Sequence, residues 1–140
     1  MNSLTLANHI SEIDRIREFL QENLEGKSLS EEIFYWIELS LVEICINIIR
    51  YAYPDGEGTF TLKIWGVENI LYFEIRDEGI PFDPTLADPP DLDEIIKTRR
   101  KGGFGIYLAR KLMDSFEYRR DKKQNVILMS KKLSMKSLHS

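Results

Sequence analysis

The sequence predicts an α+β two-layer sandwich, a mostly antiparallel sheet covered by helices on one face. Three observations lead there. Two long stretches carry apolar residues at helical spacing, one running to about Leu24 and one through about Arg50. The segments Thr59 to Trp65 and Ile70 to Arg76 are strand-like, and joined near Gly66 to Asn69 they read as a hairpin. Glu117 to Arg120 and Val126 to Lys132 read as a further pair of strands around an Asp121-Lys122-Lys123 turn.

Taken in order, Ser3 to Ala7 is the first strand candidate. Asn8 is expected to cap a helix that places Ile10, Ile13, Ile16, Phe19 and Leu20 on one face. Glu25-Gly26-Lys27 ends that helix. Ser30 is the expected N-cap of the long second helix. Tyr53 to Gly58, rich in Pro, Asp and Gly, is a turn before the first hairpin. Pro81, Pro84, Pro89 and Pro90 preclude regular structure between Pro81 and Pro90. Leu92 to Lys101 is polar and reads as a short helix or a mobile stretch. Phe104 to Met113 reads as a helix opened by glycines. Residues 1–133 are expected to form a single domain, with 134–140 as a C-terminal tail.

With 140 residues, 43% hydrophobic and 30% charged, the chain can bury one real core and needs no second domain. The net charge of −4 argues against generic nucleic-acid binding, which calls for a basic surface. The lone cysteine, Cys45, sits among apolar neighbours and is expected to be a buried thiol. No apolar run reaches membrane-spanning length, and the N-terminal MNSLTLANHI does not read as a signal peptide. A cytoplasmic location is expected.

The second helix carries the strongest chemical signal. Within LSLVEICINIIR the polar residues Ser40, Glu43, Asn47 and Arg50 fall at spacings of three, four and three, one face of a helix that is otherwise apolar. Polar groups in a core are costly unless paired, so such a stripe either lines a wet cavity or holds a ligand. Glu43 and Asn47 offer hard oxygen ligands on adjacent turns, suited to Mg²⁺ with waters completing the shell. The competing expectation is a buried pair in which Arg50 neutralises Glu43.

Two further clusters follow. Asp77-Glu78-Gly79-Ile80-Pro81-Phe82-Asp83 begins directly after a strand. Its first carboxylate can accept from a buried amino group, and Gly79 lets the backbone approach a planar ligand; alternatively this is a plain strand-ending turn. Lys101-Gly102-Gly103-Phe104-Gly105-Ile106 leads into a helix N-terminus, where backbone N–H groups favour phosphate, and Lys97, Arg99, Arg100 and Lys101 add positive charge. A Gly hinge beside a solvated basic run is the alternative. The pattern is neither a Walker loop nor a dinucleotide fingerprint.

In this order the clusters resemble the GHKL superfamily of ATPases, and within it the anti-sigma factor serine/threonine-protein kinases of the RsbW type. The likeness spans about Leu4 to Leu133 and rests on E-x-x-x-N at Glu43 and Asn47, D-E-G-x-P-F-D at Asp77 to Asp83, G-G-F-G-I at Gly102 to Ile106, and the following LARKLMDSFEY. The resemblance implies a Bergerat-type ATP-binding fold with ATP and Mg²⁺ as cofactors. It makes Asn47 the Mg²⁺ ligand, Glu43 the general base and Asp77 the adenine-reading carboxylate beside Gly79. Arg50, Pro81 and Phe82 join the nucleotide-contacting positions. Gly102, Gly103, Phe104, Gly105 and Ile106 fall at the phosphates, and Arg100 or Lys101 supplies a lid cation within a lid from Pro84 to Lys101.

The implied activity is transfer of phosphate from ATP to a serine of a small anti-sigma antagonist, together with sequestration of a sigma factor, by a homodimer that binds neither nucleic acid nor membrane. The rival is a non-catalytic, ATP-gated binding module of a partner-switching pathway. Two positions depart from the family pattern: Tyr51 stands where a His is common, and Gln124-Asn125-Val126 replaces a Gly-Thr near the last strand. Histidine-kinase activity is not expected, since neither His9 nor His139 is placed to accept phosphate.

Overall fold

The computed structural model describes residues 2–83 and 104–133. The expected lid, Pro84 to Lys101, the glycines Gly102 and Gly103, and the tail 134–140 lie outside the described residues. Strands β1 (Asn2–Ala7), β2 (Thr59–Val67), β3 (Ile70–Asp77), β4 (Ser115–Asp121) and β5 (Gln124–Lys132) form one sheet in the order β1-β2-β3-β5-β4. Every pairing is antiparallel. Helices α1 (Ile13–Leu24), α2 (Glu31–Tyr51) and α3 (Phe104–Leu112) pack with it. The α+β sandwich expected from the pattern is the fold observed.

Period-two alternation builds the sheet's inner face. Phe60, Leu62 and Ile64 of β2, Leu71, Phe73 and Ile75 of β3, and Ile127 and Met129 of β5 are all buried in one cluster. Helix periodicity builds the opposing layer from Ile16, Leu20 and Leu24 of α1, Ile37, Leu41, Ile44 and Ile48 of α2, and Ile106 and Ala109 of α3. Cys45 is fully buried there, and burial pushes its thiol up to about 12, so it is an inert core residue.

Ser30 caps α2 as expected, its Oγ accepting from the Ile33 amide at 3.1 Å. Asn8 does not cap α1. A short 3₁₀ turn, Ile10–Glu12, precedes that helix, and its own N-cap is His9 with no side-chain hydrogen bond. The Asn8 amide instead reaches across to the turn before β2, donating to the Gly56 carbonyl and accepting from the Gly58 amide at 3.1 Å. A long-range tie between β1 and the β2 entry outweighed the local cap. The β4 and β5 strands are each longer than their apolar pattern suggests, meeting at Lys122, whose φ of 58° forms the tight turn. Among the described residues, no helix is long and apolar enough to cross a membrane.

Candidate functional site

Strand alternation places Asp77 where a carboxylate would not ordinarily go. Leu71, Phe73 and Ile75 face the helices, and Asp77, two residues on, faces the same way at 4% exposure. Its partner across the β3–β5 ladder is Asn125, also 4% exposed. The Oδ1 of Asp77 accepts from the Gly79 backbone amide at 2.8 Å and from Asn125 Nδ2 at 2.9 Å. Among the described residues nothing donates to Oδ2. Burial raises the Asp77 pKa, against the lowering influence of the Asn125 and Gly79 hydrogen bonds and of the Arg120 charge.

Beside this carboxylate lies a cavity of about 60 Å³. Ile44, Ile48, Ile106 and Ile127 give it apolar walls, Tyr51, Ile80 and Phe82 add further apolar surface, and the polar residues that line it are Asn47, Asp77 and Asn125. Phe82 and Ile80 are about half exposed, unusual for large apolar side chains unless they serve a surface that becomes covered. An apolar cavity beside a carboxylate oxygen with no donor among the described residues suits a ring bearing an amine.

The loop after Asp77 is fastened to the end of α2. The Ile80 amide donates to the Ala52 carbonyl at 2.9 Å, and Arg120 Nη1 donates to the Gly79 carbonyl at 2.9 Å. Gly79 is required by this approach: a Cβ there would overlap the Ala52 carbonyl oxygen and come within 2.6 Å of the Ala52 Cβ.

The polar stripe on α2 divides by burial. Ser40 is fully buried, and its Oγ has no hydrogen-bond partner among the described residues. Glu43 and Asn47 are half-buried. Asn47 Nδ2 donates back to the Glu43 carbonyl at 2.9 Å, which turns the amide and leaves Oδ1 without a partner among the described residues. Arg50 is exposed, and no ion pair joins it to Glu43, so the buried-pair expectation for that stripe does not hold.

Helix α3 begins directly against Glu43. A Cβ on Gly105 would lie 2.6 Å from the Glu43 Cβ and 2.7 Å from its Cδ, so glycine allows the N-terminus of α3 to seat there. Asp77, Asn47, Glu43 and the positive end of α3 thus run in series along one side of the molecule.

The structure therefore assembles Asn47, Asp77, Phe82 and Ile106 in one cavity wall, with Gly79 behind it and Glu43 and Gly105 adjoining. Pro81 and Arg50 do not line that cavity; Pro81 faces a second, surface hollow with Arg120. Arg100, Lys101, Gly102 and Gly103 lie outside the described residues, and of Phe104 only the backbone is described, as the first residue of α3. Among the described residues no group of three or more His, Cys, Asp or Glu could hold a metal. Mg²⁺ at a phosphate site needs only one or two side-chain oxygens, with phosphates and waters completing the octahedron. The free Asn47 Oδ1 and the Glu43 carboxylate are donors of that kind.

Sequence reasoning missed Asn125 as a site residue, along with its neighbour Tyr118. The only signal was the departure from Gly-Thr at Gln124-Asn125-Val126, and its meaning depends on the register that sets Asn125 opposite Asp77.

Comparison with known proteins follows the same lines. Residues 6–131 match the family described as histidine kinase-like ATPase domain. Curated relatives named serine-protein kinase RsbW, from Bacillus cereus (strain AH820) and Bacillus anthracis (strain A0248), are each 26% identical over 96 residues, covering 66% of this chain and 60% of the relative. The match thus spans about three-fifths of those relatives' length. Among solved structures, the RsbU and RsbW domains of a Mycobacterium tuberculosis protein superpose with a TM-score of 0.62 at 13% identity, covering 95% of this chain and 33% of that one. The catalytic domain of the histidine kinase ThkA superposes with a TM-score of 0.54 at 12% identity, covering 95% and 98% of the two chains. Both share the fold.

Proposed function

Because this chain belongs to the histidine kinase-like ATPase domain family, we propose that it binds ATP with Mg²⁺ and transfers the γ-phosphoryl group to a serine of a partner protein. The observation that carries this reading is Asp77, a buried carboxylate with one oxygen saturated by protein and the other left open beside an apolar slot. Adenine meets that oxygen with its exocyclic amine, and Ile48, Ile106 and Phe82 cover the ring faces. Asn47 Oδ1 would hold the Mg²⁺, which would supply charge neutralisation on the phosphates. Glu43, one turn away and without an ion-pair partner among the described residues, orients the serine hydroxyl and takes its proton. The N-terminus of α3 favours the phosphates electrostatically.

From the resemblance of its motifs to anti-sigma factor kinases of the RsbW type, we further propose that the substrate is a small antagonist protein and the second partner a sigma factor, which the protein sequesters as a cytoplasmic homodimer. Glu43 supports the catalytic reading over a purely nucleotide-gated binding module, since binding alone needs no base there. Incubation with radiolabelled ATP, Mg²⁺ and a candidate antagonist tests it. Label appearing on antagonist serine is the expected result; tight Mg-ATP binding with no transfer to any candidate would turn the reading to the binding module.

A further inference from the structure

Asn125 spends its whole hydrogen-bonding capacity on protein. Its Nδ2 donates to Asp77 Oδ1 at 2.9 Å and to the Ile80 carbonyl at 2.8 Å. Its Oδ1 accepts from the Tyr118 hydroxyl at 2.6 Å and, at 3.4 Å, from the Phe82 amide. Two of these partners have fixed polarity. A backbone carbonyl can only accept and a backbone amide can only donate, so the side-chain amide has one satisfied orientation. Flipped, it would set its oxygen against both the Ile80 carbonyl and the Asp77 carboxylate. The Tyr118 hydroxyl, which could serve either way, is therefore held as a donor.

This arrangement rests on the ATP reading above and deepens it. We infer that Asn125 is a positioning residue for base selection: it acts by presenting Asp77 Oδ2 to the cavity as a hydrogen-bond acceptor, with Tyr118 holding Asn125 in register. With Oδ1 already accepting two hydrogen bonds, a proton on this carboxyl goes to Oδ2, so the ionised form is the one that offers Oδ2 as an open acceptor to an amine. A protonated Asp77 would instead donate, and would suit a carbonyl at the same ring position. Selection between a 6-amino and a 6-oxo purine thus depends on what keeps Asp77 charged. Burial opposes the charge; the Asn125 and Gly79 donors and the Arg120 cation support it.

Among the described residues, the titratable and charged groups around Asp77 are Arg120 and Tyr118 from β4, Tyr51 from α2, Tyr53 from the turn after it, and Glu78, the next residue in the chain; β5 contributes the neutral amide of Asn125. Asn125 is therefore the neutral group whose change alters the Asp77 charge most directly.

The test uses the full chain and three variants, Asn125→Asp, Asn125→Leu and Tyr118→Phe, with affinities for Mg-ATP and Mg-GTP measured by calorimetry between pH 5 and 8. In the ligand-free proteins the Asp77 carboxyl carbon is titrated by NMR. In the wild type, ATP binding declines as pH falls through the raised Asp77 midpoint. Asn125→Asp sets a second carboxylate against the first, so the midpoint and the acid limb of ATP binding should rise by about one pH unit or more. The preference for ATP over GTP should shrink about tenfold or more, as a buried acceptor becomes a donor. Asn125→Leu should move both readouts the same way. Tyr118→Phe, which loses one hydroxyl from a half-exposed site, should reduce the preference about three- to tenfold with little change in melting temperature. An unchanged Asp77 midpoint and unchanged base preference in Asn125→Asp and Tyr118→Phe would overturn the inference while leaving ATP binding standing. A wild-type chain that binds neither nucleotide would overturn the ATP reading, and the inference with it.

Discussion

The helix-facing side of the sheet buries an ionisable residue at each end, and the two ends treat it differently. At one end Lys131, 9% exposed, donates its ammonium to the Leu112 carbonyl at 2.6 Å, lies 4.0 Å from Asp114 Oδ2, and sits 5.0 Å from the centre of the Trp36 ring. A carbonyl, a carboxylate and an aromatic ring all face that charge, and the result is a cap on the C-terminus of α3. At the other end Asp77, 4% exposed, has both of its donors on Oδ1 and none of the described residues on Oδ2. Burial is similar, but one group is closed and the other keeps spare valence beside a cavity. The difference teaches how a structural charge is told from a ligand-binding one: by its unfilled hydrogen-bonding capacity. Glu43 and Asn47 Oδ1 fall on the Asp77 side of that division.

The sharpest way to break the comparison is Glu43→Gln, which keeps size and removes the base. Phosphoryl transfer should fall by about two to four orders of magnitude, while ATP affinity and melting temperature change little. A stable variant with undiminished transfer would return Glu43 to the class of mere surface carboxylates.

Asp77→Asn comes next. It keeps an acceptor for Gly79 and Asn125 but turns a donor toward the cavity, so calorimetry should show ATP affinity reduced about 10- to 100-fold. Stability should respond in the opposite sense. Because burial raises the Asp77 pKa in the fold, ionisation costs stability above that raised value, and the cost is relieved as pH falls through it. Denaturant unfolding between pH 4 and 7 should therefore show Asp77→Asn as stable as the wild type or more so near neutrality, without the wild type's gain on acidification. A large loss of stability in the variant would place Asp77 with Lys131 as a structural group.

Lys131→Met tests the closed end. Losing the ammonium leaves the Leu112 carbonyl without its donor and should cost about 1 to 3 kcal/mol in denaturant unfolding. Mg-ATP affinity should stay within about twofold of wild type, as expected for distant, independent sites. The smallest effect is expected from Asn47→Ala, with about a tenfold loss in the portion of ATP affinity that depends on Mg²⁺, and nearly none in EDTA. An equal loss with and without the metal would reassign Asn47 to the base pocket alone.

Much of this contrast was legible before any coordinates. The helical spacing of Ser40, Glu43, Asn47 and Arg50 announced a polar stripe on an apolar helix; Asn47 lines the cavity, and Glu43, one turn back, sits against Gly105. Its outer end was not legible: Arg50, on the last turn, is exposed while Ile48 and Ala52 on either side of it are buried, and helical spacing alone does not say how far round a helix its neighbours reach. The alternation Leu71, Phe73, Ile75, Asp77 was equally readable, and it carries the carboxylate inward once the strand continues one residue beyond its apolar pattern. Asn125 could not be recognised, because its importance comes from a partner 48 residues away.

The sequence by itself determined the elements, the face each presents, and the order of the polar groups along α2, because those follow from backbone periods of 3.6 and 2 acting between near neighbours. Only the tertiary structure decided that Asn8 ties β1 to the turn before β2 instead of capping a helix. It alone set Asn125 opposite Asp77 and seated Gly105 on Glu43. These are contacts between segments far apart in the chain. They depend on strand register and helix seating, which are chosen by the burial of the whole core and leave no local signature in the residues they join.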